Sequence, residues 1–178
     1  MTIYTRTGDA GTTGLFSGQK VSKDSPVIDF AGSLDELNSV LGVCVSSLAE
    51  VETVDFTPEC EVVEDIQRDM FVVGALASGA NMPFNPVLEV KNIEKTIDDY
   101  EKLIPPLKSF ILPGGSIPAA HLHYARTLVR KVERQAVGLK SKSLSVFLPY
   151  LNRLSDLLFV MARYVNRKMK VEEIVWKK

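Results

Sequence analysis

Apolar residues recur at helical spacing through most of this chain. Leu34, Leu37, Leu41, Val45 and Leu48 mark one amphipathic stretch. Ser33-Leu34-Asp35-Glu36 stands before it as a capping box, in which the Ser33 hydroxyl and the Glu36 carboxylate each satisfy a free backbone N–H. Thr57-Pro58 starts a second helix, with Pro in the first turn where its missing N–H costs little, and the helix runs to about Gly79. A shorter third helix is predicted from about Lys91 to Leu103 and is ended by Pro105-Pro106. The turn "FILPGGS" delivers Ser116 as the cap of a fourth helix, which Gly138 is placed to close. The fifth runs from near Ser145 to about Lys168, with Pro149 in its early turns. Period-2 alternation is confined to a short piece at Thr2–Thr5, and no repeat or low-complexity tract occurs. The fold class that follows is all-α, an antiparallel five-helix bundle. It forms one domain over residues 1–178, with an N-terminal arm (1–30) ahead of the helical bundle (31–170).

Helix phase adds to helix existence. Ala125, Val129, Val132 and Ala136 make the core stripe of the fourth helix, while Arg126, Arg130 and Glu133 lie about 100° around it. On the fifth helix Leu151, Leu158, Ala162 and Val165 face the core, and Asn152, Asp156, Phe159 and Arg163 are rotated about 100° in the same sense. Two long helices thus carry polar stripes on the flank of the core. Surface salt bridging explains such stripes; so does a subunit interface, and Phe159 sits among the polar groups of the second.

Composition removes several function classes. The chain has 178 residues, 46% of them apolar, enough for one sizeable core. Its 21 basic and 22 acidic residues leave a formal charge of -1, with no electrostatic case for nucleic acid or an anionic membrane. The longest mainly apolar run, "MFVVGALASGANM", is too short to span a bilayer. The N-terminus lacks the segments of a secretory signal, and a cytoplasmic setting is expected. Cys44 and Cys60 read as buried free thiols. His121 and His123 point about 200° apart on a helix and suit structural roles better than chelation. No Glu-x-x-His, no zinc-ligand set and no Walker loop is present, and no protein metal site is expected.

One stretch fits neither core nor helix. "TRTGDAGTTGLFSGQKVSK" combines glycines, whose backbone N–H groups can approach an anion, with the hydroxyls of Thr5, Thr7, Thr12 and Thr13 and the charges of Arg6, Lys20 and Lys23. It suits a polyphosphate held outside a Walker fold. A flexible polar arm has the same composition.

Five motifs in order, "YTRTGDAGTTGLFSG…VSK", "SLDELNSVLG", "FILPGGS", "ARTLVRKVER" and "YLNRLSDLLFVMAR", resemble those of the PduO-type ATP:cob(I)alamin adenosyltransferases across residues 4–163. The chain departs from the family pattern at Ser33, where Thr is common, and at Lys131-Val132, where Arg-Ala is usual. The resemblance implies a helical bundle assembled as a homotrimer, with ATP and cobalamin meeting between subunits. It implies transfer of the 5′-deoxyadenosyl group of ATP to Co(I) of reduced cobalamin, releasing triphosphate, with Mg2+ as the accompanying ion. A non-catalytic module that binds ATP or adenosylcobalamin and delivers it to a partner is the alternative. A cobalamin reductase and an adenosylcobalamin-dependent enzyme are the partners such chemistry implies.

Residue by residue, the resemblance assigns Thr5, Arg6, Thr7, Gly8, Thr13 and Gly14 to an ATP loop and Lys23 to phosphate. Arg130, Glu133, Arg134 and Asn152 are assigned to ATP. Arg126 is assigned to an intersubunit pair with Asp35, so that Arg130, Glu133, Arg126 and Asp35 form the catalytic set. Phe110 is assigned to the lower face of the corrin ring and Phe159 to a second aromatic near it.

Overall fold

The computed structural model describes residues 3–177. Two short strands, β1 (Thr12–Gly14) and β2 (Lys20–Ser22), precede α1 (Pro26–Ala49), α2 (Thr57–Ala77), α3 (Pro86–Glu101), α4 (Ile117–Gly138), a single turn α5 (Lys142–Ser145) and α6 (Leu148–Lys168). Every long helix has a proline in its first turn, where the absent N–H breaks no bond. Ser116 caps α4 as expected, its Oγ accepting from the Ala119 N–H at 3.4 Å.

Three local expectations change. α1 starts at Pro26, well before the capping box, so Ser33 lies buried inside the helix and Glu36 bonds Lys131 instead. The reason is Phe30, which is fully buried and extends the apolar stripe one turn backwards. α3 likewise begins at Pro86 rather than Lys91, with the Asn85 side chain accepting from the Leu88 N–H at 3.2 Å. The arm contains an antiparallel hairpin that periodicity did not reveal, pairing Thr12 with Ser22, Thr13 with Val21 and Gly14 with Lys20. The strand piece read at Thr2–Thr5 begins on Thr2, outside the described residues, and Ile3–Thr5 is not strand.

The long helices pack in the spatial order α2–α1–α4–α6–α3. Cross-links show their directions. Lys131 meets Glu36 and Gln135 meets Asp29, so α4 runs against α1. Glu133 meets Asn152 and His123 meets Phe159, so α6 runs against α4. Arg153 meets Glu94 and Tyr164 meets Tyr100, so α3 runs parallel to α6, which departs from a fully antiparallel bundle. Two hydrogen bonds tie α2 to the far side: Tyr100 Oη to Glu59 at 3.1 Å and Tyr150 Oη to Asp69 at 2.7 Å.

Both core stripes are buried as the phases require: Ala125, Val129, Val132 and Ala136 on α4, and Leu151, Leu158, Ala162 and Val165 on α6. Cys44 and Cys60 are free; Cys44 is buried, which pushes its thiol up to about 12, and Cys60 is half-buried. No helix among the described residues is long and apolar enough to cross a membrane.

Candidate functional site

The hairpin gives the arm its shape. By turning the chain between β1 and β2 it returns Lys23 to Gly8, where a Cβ on the glycine would sit 3.1 Å from both Cε and Nζ of the lysine. A side chain there would make the tip of Lys23 give way by a few tenths of an ångström. The Lys23 N–H donates to the Gly11 carbonyl at 2.9 Å, and the Thr5 and Thr7 hydroxyls lie 2.9 Å apart. Arg6 takes a left-handed conformation (φ 60°) and places its guanidinium 5.5 Å from the Tyr4 ring centre. Thr13 and Gly14 are held in β1. The arm residues assigned to ATP therefore form one hydroxyl- and cation-bearing loop. Below it a cleft of about 670 Å³ is lined by Lys23, Asp29, Ser33, Glu36 and Lys131, joining the arm to the α1–α4 seam.

The flank stripes bring together some of the assigned residues. Asn152 Nδ2 donates to Glu133 Oε1 at 3.3 Å, and Arg153 Nη1 donates to Asn152 Oδ1 at 2.7 Å. Arg130 and Arg134 are exposed on α4. Arg126 is half-buried, and its Nε has no hydrogen-bond partner. Burial, and then the neighbouring Arg130 charge, lower its pKa. Asp35 is exposed on α1 and lines a separate apolar groove of about 440 Å³ with Phe16, Leu34, Met70 and Phe71. Among the described residues no ion pair joins Asp35 to Arg126 within the chain. Lys131, one of the departures from the family pattern, is spent on Glu36 at 2.7 Å.

Phe110 and Phe159 do not share a cavity. Phe110 is 80% exposed on the connector before α4, beside Trp176. Phe159 is half-buried in a cavity of about 680 Å³ with Arg153, Asp156 and Arg163, and Leu107 lines both spaces. The turn that carries Phe110 is gripped by Asn166, a residue the sequence reading passed over. Asn166 Oδ1 accepts from the Ser116 N–H at 2.9 Å and from Ser116 Oγ at 3.0 Å, while its Nδ2 donates to the Gly114 carbonyl at 2.9 Å. A signal for it existed: Asn166 stands four residues after Ala162, a polar group on the buried face of α6. Arg163, in phase with the flank stripe, is buried and paired with Glu173.

His123 is 3% exposed, with neither ring nitrogen hydrogen-bonded and its ring centre 5.8 Å from that of Phe159. Burial and, secondarily, the Arg126 charge bring its pKa from 6.5 down to about 4. The unfolded chain takes up this proton near its ordinary pKa, whereas the folded chain resists it until the lower value. Acidification across that window therefore favours unfolding. Stability is expected to fall by up to about 3 kcal/mol from this group alone as pH drops from about 6.5 to 4. Urea unfolding at several pH values checks this: His123→Leu should flatten the profile in that window, and identical slopes in both proteins would refute the neutral assignment.

Comparison with known proteins decides the family. Residues 3–165 match the family model described as cobalamin adenosyltransferase. The chain belongs to that family. As a cobalamin adenosyltransferase family member it is 41% identical over 185 residues to the corrinoid adenosyltransferase PduO of Citrobacter freundii, covering 99% of this chain and 53% of that one. It is 40% identical to the cobalamin adenosyltransferase of Cupriavidus metallidurans, covering 99% and 94% respectively. The chain thus spans about half the length of the Citrobacter relative and nearly all of the Cupriavidus one. Among solved structures, it is similar to a variant PduO-type ATP:corrinoid adenosyltransferase from Lactobacillus reuteri complexed with cobalamin and ATP. The TM-score is 0.90 at 31% identity, covering 99% of this chain and 100% of that one.

Proposed function

We propose that this chain transfers the 5′-deoxyadenosyl group of ATP to Co(I) of reduced cobalamin, giving adenosylcobalamin and triphosphate. The reading is carried by end-to-end likeness to a relative complexed with cobalamin and ATP, in a chain with Lys23, Arg130, Glu133 and Asn152 at the positions the resemblance assigns to ATP. Co(I) is itself the nucleophile, so the protein needs no activated serine or cysteine. Cobalt attacks carbon 5′ in line with the departing oxygen. The Co–C bond forms with the cobalt electron pair as the C–O bond breaks, and negative charge grows on triphosphate. Lys23 over the Gly8 loop and the exposed Arg130 are cations available to that charge. Glu133 and Asn152, bonded to each other, fix a polar pair on the same flank for the nucleoside.

Among the described residues no three His, Cys, Asp or Glu side chains gather into a metal cage. Magnesium would be carried chiefly by the triphosphate oxygens and water, where it would neutralise charge on the leaving group. Phe110, on its rigid turn, is assigned to the lower corrin face, where it excludes water and the cofactor's own base and so eases reduction of cobalt(II). Phe110→Ala should slow adenosylation from cob(II)alamin roughly 10–100-fold. The four-coordinate cob(II)alamin spectrum expected of the wild type with ATP should give way to a five-coordinate one, with ATP affinity little changed. Retention of the four-coordinate species in full would remove this role.

A homotrimer completes the proposed site. Among the described residues the half-buried Arg126 has no Nε acceptor and the exposed Asp35 no cation, and these are the groups that a neighbouring subunit would pair. Sedimentation should give a trimer, and a stable, fully active monomer would contradict it. The setting is cytoplasmic, in keeping with two free thiols. A reductase supplies Co(I) there, and an adenosylcobalamin-dependent enzyme takes the product.

The deciding experiment is anaerobic. ATP, magnesium and chemically reduced cobalamin should yield the adenosylcobalamin spectrum and one triphosphate per product. Binding of ATP or adenosylcobalamin without turnover would leave a cofactor-delivery module instead. Triphosphate release without corrinoid would mean a different ATP-using enzyme.

A further inference from the structure

The segment after α6 is fastened to the Phe110 connector by one buried fork. Arg163 Nε donates to Glu173 Oε1 at 2.8 Å, and its Nη2 donates to Glu173 Oε2 at 3.2 Å and to the Pro105 carbonyl at 2.9 Å. The Arg163 side chain is 7% exposed and that of Glu173 24%, whereas the other ion pairs among the described residues lie at the surface. Two-armed geometry out of water fixes direction in a way that surface pairs do not. Pro105 stands at the start of the connector and Glu173 at the start of the tail, so a single guanidinium anchors both.

Beyond the fork the two segments run as an antiparallel ladder. The Leu112 N–H donates to the Ile174 carbonyl, the Trp176 N–H donates to the Phe110 carbonyl, both at 2.8 Å, and Ile111 pairs with Val175. The Phe110 ring is 80% exposed and has little packing of its own, so its direction is set by its backbone. The Phe110 carbonyl is held by the tail, and the same connector is held four residues further on, at Gly114, by Asn166. Ordering the tail costs chain entropy, and the bonds that offset it come from α6, through Arg163 and the Asn166 carbonyl, and from the connector, through Phe110 and Leu112.

We propose that Arg163 and Glu173 are positioning residues for the reaction. Their fork docks the tail strand, and the docked strand holds the Phe110 backbone so that the ring is aimed before corrinoid arrives. This rests on the reading of Phe110 given above.

Glu173→Ala tests it, because that change leaves Arg163 the Pro105 carbonyl and opens no cavity in the helical core. Amide hydrogen exchange should speed up at Leu112 and Trp176 while Val129 and Leu158, inside the helices, stay protected. With ATP, magnesium and cob(II)alamin, the four-coordinate fraction should drop about tenfold, as should the rate of adenosylation from that state. With pre-reduced cob(I)alamin, whose cobalt holds no lower ligand, the loss should be smaller. Glu173→Gln keeps one arm of the fork and should fall between; it also reads the same quantities if the alanine variant unfolds. Freed amides with an unchanged four-coordinate fraction would overturn the proposal and leave the fork a structural clip. If the wild-type protein itself adenosylates no corrinoid, the functional reading fails, and that result is distinct because it needs no variant.

Discussion

Arg130→Ala is expected to slow transfer to pre-reduced cob(I)alamin by about 10²–10³-fold, the loss of about 3–4 kcal/mol of charge stabilisation at the leaving triphosphate. The melting temperature should hardly move. Arg130 is exposed, and among the described residues it has no ion-pair partner; its charge falls instead on Arg126, whose pKa it helps to lower. Cations kept side by side without acids are unfavourable in the empty chain and become favourable when an anion arrives. Removing one therefore costs function rather than fold. Arg163→Ala should behave in the opposite way. It leaves the part-buried Glu173 carboxylate and the Pro105 carbonyl without their donor, so it should lower stability by about 3 kcal/mol and slow the cob(I)alamin reaction much less. Paired measurements of melting and of initial rate check both. Equal and small rate losses would return the α4 stripe to a structural role.

The contrast between these two arginines shows what a sequence can and cannot deliver. Both stand in phase on a flank stripe, and periodicity placed both correctly relative to the core. Phase says which way a side chain leaves its helix but not what waits there. Glu173 comes from a tail segment that has no period, and its ladder with residues 110–112 depends on pairing across more than sixty positions. The hairpin of the arm was missed for a related reason: its strands are three residues each and lie in a Gly- and Thr-rich stretch, too short for alternation to register. The capping box at Ser33 misled because a local hydrogen-bond pattern competes with burial. Phe30 at full burial outweighs one cap, and the helix runs through. The core stripes were legible because burial over about three to four turns of helix averages out such competitors. Among the site residues, the arm and the Glu133–Asn152 pair are joined within one chain. Asp35 and Arg126 form no ion pair with each other among the described residues.

Gly115→Ala is expected to be the costliest single-methyl addition in the connector. Gly115 has φ 104°, a conformation that a Cβ disfavours by about 1–2 kcal/mol. The added carbon would also lie 2.6 Å from Asn166 Cγ and closer still to both polar atoms of that side chain. Asn166 cannot swing aside freely, because it is buried and its three hydrogen bonds hold Gly114 and Ser116. Either the methyl displaces Asn166, leaving buried polar groups unpaired at about 1–3 kcal/mol each, or the turn itself shifts. The expected loss is about 3–5 kcal/mol, roughly 10 °C in melting temperature for a chain of this size. A double-mutant cycle separates the two causes. With Asn166→Ala already in place the clash is gone, so adding Gly115→Ala should cost only the backbone preference, about 1–2 kcal/mol. Because Phe110 rides on the same turn, the single variant should also lose the four-coordinate cob(II)alamin species. Additive costs in the cycle would mean that Asn166 does not set the turn, and that the aim of Phe110 is decided elsewhere.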